Sequence, residues 1–182
     1  MPMLEQRIQQ QFFESADLLS QTAEALSKPI AAAAQALLGC ITAGGKVMLC
    51  GSGPAAALAQ HGASLMVGRF ERERPGLAAL AVGGATEVQA LGAPGDVLVV
   101  ICAAGPAPAM MAAVQAAQAK DMTVVALSGR EVGGLLERLS ETDVHIAVPH
   151  DRAARIHEAH TLVLHCLCDA VDLQLLGEQE IT

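Results

Sequence analysis

Apolar residues recur every three or four positions along the first stretch of the chain: Leu4, Ile8, Phe12, Leu19, Ala23 and Leu26, with Glu, Gln and Arg between them. That spacing predicts a long amphipathic helix over 4–27. Pro29 lacks the amide that a helix interior needs, so it ends this helix or opens the next. A second helix is expected from about Ile30 to Ala43, stopped by Gly44-Gly45. The period then changes. Short, continuously apolar runs at KVMLC (46–50), LAALAV (77–82), DVLVVIC (96–102), TVVALSG (123–129) and VHIAV (144–148) read as buried strands. Helical stretches alternate with them, from Pro54 to about Val67, from Met110 to Lys120, and from Ala153 to Leu176.

Strands without an exposed face, alternating with helices, predict an α/β fold with a five-stranded parallel sheet between two helical layers, joined by right-handed crossovers. The connection from Val82 to Asp96, GGATEVQALGAPG, admits at most a two-turn helix, near the minimum for a parallel crossover. The chain divides into a helical pair (1–45), an α/β core (46–150) and a C-terminal helix with its tail (151–182), all one domain. Ligands on such sheets bind beyond the carboxyl ends of the strands. That places GSGP (51–54) and AAGPAP (103–108) at the expected mouth.

Composition narrows the function classes. The net charge is −8 over 182 residues, with no Trp or Tyr and three Phe. Such a chain lacks the clustered cations and stacking faces that bind nucleic acid directly. Charged residues and glycines interrupt every apolar stretch, so no membrane span is expected, and the N-terminus lacks the pattern of a secretory leader. A cytoplasmic protein is expected. The five cysteines are odd in number and form no C-x-x-C, so buried free thiols are expected rather than disulfides or a zinc ribbon.

The two mouth loops share Gly-Pro-Ala, at Gly53-Pro54-Ala55 and Gly105-Pro106-Ala107. Proline suits the first position of a helix. It also removes an amide that would hold a phosphate oxygen. Ser52 is the only hydroxyl near either turn. Plain helix starts are favoured over a phosphosugar clamp.

Five stretches together resemble the sugar-isomerase (SIS) domain family, in the branch of the sedoheptulose-7-phosphate isomerases and the DnaA initiator-associating protein. They are CGSG (50–53), AQHGASLMVGRFERERPGL (59–77), GDVLVVI (95–101), DMTVVALSGR (121–130) and RIHEAHTLVLHCLCDAVD (155–172). The resemblance implies the same layered fold and a homotetramer joined through its first and last helices. It also implies that His61 and His165 occupy positions that ligate zinc in some members, with His157 where the family has a glutamine. His61, His157 and His165 are thus the candidate metal ligands, and zinc the only cofactor considered. The last helix is apolar nearly all round from Ala159 to Leu176, which agrees with burial between subunits.

The departures from that family are concerted. Leu65 stands where the isomerases carry a general-base glutamate. CAAGPA (102–107) replaces a Ser/Thr-rich phosphate loop, and the segment after the second strand is short, with Glu87 its only ionisable residue. Together they predict a scaffold without chemistry: a non-catalytic homo-oligomer that regulates by binding proteins, by resemblance a DnaA-type replication initiator. Leu175, Leu176 and the surface around Arg69 to Arg74 are its candidate contacts. The alternative is an active phosphoheptose isomerase with His165 or His61 as base. A third class is a sugar-phosphate or nucleotide sensor using Ser52, Gly53, Arg69, Gly105 and Ser128. Arg69, Arg72 and Arg74 otherwise read as a salt-bridged surface turn. His160 reads as a packing residue, His145 and His150 as solvated, and Cys166 and Cys168 as packing.

Overall fold

A computed structural model describes residues 2–105 and 108–178. Its sheet has five parallel strands, β1 (Val47–Gly51), β2 (Ala79–Val82), β3 (Val97–Ile101), β4 (Thr123–Ser128) and β5 (Val144–Ala147), in the order β2-β1-β3-β4-β5. Each pair keeps parallel register, for example Val47 beside Val97 and Val97 beside Thr123. β1 and β3 are buried along their whole length, while edge strands β2 and β5 are only partly covered. That is the burial expected of a sheet covered on both faces.

Successive residues of the central strands feed two different cores. Val47, Leu49, Val97, Val99, Val125 and Leu127 face one helical layer, made of α1 (Pro2–Thr42), α2 (Ala55–Val67) and α5 (Ala153–Leu176). Met48, Leu98, Val100, Val124 and Ala126 face the other, made of α3 (Ala85–Leu91), α4 (Pro108–Gln118) and a 3-10 turn at Gly133–Arg138. The three-layer α-β-α arrangement expected from the sequence is therefore present. Only Gly83 and Gly84 separate β2 from α3, so the shortened connection supports a helix of seven residues.

The structure corrects the N-terminal helical pair. α1 is one helix of 41 residues, and Pro29 lies inside it. An interior proline costs about 3 kcal/mol. Tertiary packing offsets this, because Leu18, Ala33, Ala34 and Leu37 on α1 are buried and the helix lies along α5. The expected stop holds. Gly44 has φ +83, its amide donates to the Ile41 carbonyl, and the Gly45 amide donates to the Cys40 carbonyl, which together cap α1 as a Schellman motif.

The expectation of no span-length apolar stretch is also corrected. α1 and α5 each contain an 18-residue window, of mean hydropathy 1.3 and 1.2, long and apolar enough to cross a membrane. α5 carries Ile156, Val163, Leu164, Leu167 and Val171 into the core against the sheet and α1.

Asp96, at the start of β3, holds the lower end of the sheet together. It accepts from the Lys46 amide (2.9 Å), the Lys46 ammonium (2.5 Å) and the Ala93 amide (2.8 Å). Burial pushes its carboxyl up, but the bonds from Lys46 and Ala93 outweigh this and hold it below the ordinary value.

Candidate functional site

The sheet order reverses between β1 and β3, and the loops that follow these two strands flank a cleft of about 310 Å³. Such a switch point is where open α/β sheets bind ligands. Ser52, Gly53 and Pro54 line one side and Cys102 to Gly105 the other; Ala153 and His157 of α5 close it. Of the residues singled out from the sequence, Ser52, Gly53, Gly105 and His157 thus meet in one place. Gly53 has φ +56, a left-handed turn that favours glycine. Pro106 and Ala107 lie outside the described residues, and α4 begins beyond them at Pro108.

The start of α2 leaves few free donors for the cleft. The Ala55, Ala56 and Ala57 amides already donate to the carbonyls of Ser52, Gly53 and Pro54, at 3.1, 3.1 and 3.2 Å. The Cys102 thiol is turned towards the Leu127 carbonyl, and burial pushes its pKa up to about 11. Burial also lowers the pKa of His157.

A second cluster lies further along the same two helices. His61 of α2 and His165 of α5 meet with their Nε2 atoms 2.9 Å apart, a hydrogen bond in which one ring donates and the other accepts. Phe70 stacks obliquely on His165, with centroids 5.4 Å apart. His165 is held below the ordinary histidine value by burial first and by His61 second, against an opposing pull from Glu71. Leu65, one turn beyond His61, packs against the core and brings no proton donor or acceptor on its side chain.

His157 does not join this pair. It lies eight residues before His165 on α5, about 12 Å along the axis. Among the described residues no three His, Cys, Asp or Glu side chains converge as metal ligands. Two imidazoles alone fall short of the three protein ligands of a catalytic zinc site. The three-histidine zinc site is therefore not formed within one chain.

Other expectations also need correction. Ser128 is buried away from the cleft; its hydroxyl meets His145 Nε2 at 2.8 Å and the Gly129 carbonyl at 2.9 Å. His145 is accordingly half-buried rather than solvated. His150 is half-buried as well, and its Nδ1 accepts from the Arg152 amide at 2.9 Å. Arg69 stays exposed and pairs with Glu73, away from the cleft lining. Arg74 is not part of a surface turn. Its side chain is 1% exposed and bonds Asp172 at 2.5 Å, together with the carbonyls of Leu65, Met66, Gly68 and Pro75. Cys166 is exposed, unlike the other four cysteines. His160 is a packing residue as expected: fully buried, with Nε2 3.1 Å from the Ser128 carbonyl and Nδ1 without a partner.

Comparison with known proteins agrees with this geometry. Residues 11–90 match the SIS domain family. The chain is 60% identical to a phosphoheptose isomerase of Methylibium petroleiphilum, with all of both chains covered. That alignment runs over 200 positions against 182 residues here, a difference of eighteen, so the relative carries at least eighteen residues without a counterpart. The solved phosphoheptose isomerase GmhA of Neisseria gonorrhoeae is 37% identical with a TM-score of 0.87, covering 93% of this chain and 98% of its own. A phosphoheptose isomerase structure from Francisella tularensis is likewise 37% identical, with a TM-score of 0.88 and coverage of 94% and 99%. These likenesses overturn the expectation of a non-catalytic regulator of a DnaA-type initiator. Loss of the glutamate at Leu65 and of the hydroxyl-rich loop argued for that regulator, but it ignored the imidazole pair that the fold assembles from α2 and α5. The five parallel strands, the switch-point cleft and full-length similarity to enzymes lead to one conclusion: the chain belongs to the phosphoheptose isomerase family of SIS-domain proteins.

Proposed function

We propose that the chain is an aldose–ketose isomerase of the phosphoheptose isomerase type, with His61 and His165 as its proton-transfer couple. The observation that carries this is the 2.9 Å contact between the two Nε2 atoms. Only one of those nitrogens holds a proton in that contact, so the pair offers one acid and one base side by side. The opposed influences on His165 keep a neutral, basic imidazole available at neutral pH.

The chemistry balances on two imidazoles. One takes the C1 proton of a ketose while the other gives its proton to the C2 carbonyl oxygen, and an enediol forms. The first then returns a proton to C2 as the second takes the C1 hydroxyl proton, which leaves the aldose. His61 lies six residues past Ala55, about 9 Å along α2. A seven-carbon sugar can reach from the cleft to the pair. We propose further that the active form is a homo-oligomer, a tetramer by family resemblance, built on the apolar surface of α1 and α5. Met3, Leu4, Phe12, Phe13 and Leu162 are exposed there.

The test is turnover of sedoheptulose 7-phosphate by the full chain. His61→Ala and His165→Ala should each lower kcat by about 100-fold or more while leaving the folded state intact. A wild-type chain without turnover, or variants as active as wild type, would sink the assignment.

A further inference from the structure

We infer that Phe70 is a positioning residue for the His61–His165 couple: its ring holds the His165 imidazole in the orientation that meets His61. This deepens the isomerase reading and rests on it. The packing of α2 against α5 brings the two histidines within reach. Gly62 follows His61, and Leu164 precedes His165. A Cβ on Gly62 would lie 2.8 Å from Leu49 Cδ2 and 3.3 Å from Leu164 Cδ2, so the close approach of the helices depends on the missing side chain. That approach sets where the two backbones stand. It does not set the rings, because the torsion that turns a histidine ring has broad minima.

Phe70 supplies the further restraint. Its ring lies against the His165 imidazole, with centroids 5.4 Å apart and planes tilted by 39°, and His61 lies 5.2 Å away at 59°. Both separations fall in the contact range of about 4.5–7 Å for paired rings. His61 is the only hydrogen-bond partner of His165 among the described residues. Phe12 and Phe13 are 73% and 67% exposed, so Phe70 is the one phenylalanine packed against the core. It sits on a stretch, 68–78, without helix or strand. That stretch is tied to both helices that carry the histidines. Arg74 bonds the carbonyls of Leu65, Met66 and Gly68 at the end of α2 and the Asp172 carboxylate on α5. Arg72 donates to the Gly177 carbonyl, just past α5, at 2.7 Å. These ties, rather than regular backbone structure, set where Phe70 stands. Phe70 has no group that moves a proton, so its effect passes through His165.

The experiment compares the full chain with Phe70→Leu, which keeps apolar bulk without the ring, and with Phe70→Tyr, which keeps the ring. Imidazole nitrogen shifts are recorded by NMR at about pH 8.5, where free histidines are neutral. Turnover of sedoheptulose 7-phosphate is followed separately. In the wild type the 2.9 Å contact fixes one ring with its proton on Nε2 and the other with its proton on Nδ1. Phe70→Leu should average the tautomers of His61 and His165 and lower kcat by about 10- to 100-fold, with KM within about twofold. Phe70→Tyr should keep the wild-type tautomers and a kcat within about twofold of wild type. His160, held at the Ser128 carbonyl, should not move in either variant. Unchanged tautomers in Phe70→Leu, an unchanged kcat in an active enzyme, an equal loss in Phe70→Tyr, or a shift of His160 with the pair would each overturn the inference. A wild-type chain without turnover, whose tautomers average only in Phe70→Leu, removes the isomerase assignment and leaves the placement of His165 by Phe70 standing.

Discussion

His160 shows how one side chain sets the response of the fold to acid. It is fully buried, and burial pushes its pKa down to about 4; the bond to the Ser128 carbonyl opposes this, and the neighbouring His157 adds a lesser lowering effect. An unfolded chain would protonate the same ring near 6.5. Between those values the unfolded state binds more protons than the folded state, so stability falls as pH drops. Above 6.5 the effect is absent. Over the full window it amounts to about 3 kcal/mol. Urea unfolding of wild type and His160→Gln from pH 7.5 to 4.5 should show a clearly flatter profile for the variant; parallel profiles would refute the role. Resemblance marked His61 and His165 as candidates, and the distances confirm that they meet. It could not reveal that Ser128 is tied to His145, because spacing along a chain does not say which side chain answers another across β4 and β5.

At the scale of elements, Arg74 joins three pieces of chain. Its guanidinium grips the carbonyls that end α2, the Pro75 turn and the Asp172 carboxylate of α5. Removing one partner of a buried pair leaves the other uncompensated, at a cost of about 3–5 kcal/mol. Arg74→Ala should therefore lower the denaturation midpoint sharply, and a double substitution with Asp172→Leu should recover part of the loss. A midpoint unmoved by Arg74→Ala would contradict the clamp. In the sequence Arg74 looked like one more charge in RFERERP; only the fold separates it from exposed Arg69. The strands were easier. Runs such as DVLVVIC have the length and β-branching of buried strands, and all five appear within a residue or two of expectation. Pro29 misled because local chemistry there opposes a helix, whereas the packing of α1 along α5 decides the outcome. The exposed Cys166 has the same origin: an apolar neighbourhood in sequence does not settle which side of α5 faces the solvent.

For the whole molecule, the two helical layers account for the sheet but not for α1. At 1.5 Å per residue this helix is about 60 Å long, whereas a compact domain of this size is about 40 Å across. Residues 3–10 are all exposed, among them Met3 (82%) and Leu4 (65%). Sedimentation should give a mass that is a multiple of 18.7 kDa, and a form trimmed of residues 1–9 should keep its circular dichroism while losing mass. A wild-type particle at the single-chain mass would refute the assembly. The overhang also divides the duties of one helix. Its distal turns are exposed on their own fold, so in the proposed homo-oligomer a drift towards polar side chains there would leave each chain folded while weakening the assembly. Its proximal turns, beneath α5, have no such freedom, and in the proposed oligomer one continuous rod would answer both to its own core and to its neighbours.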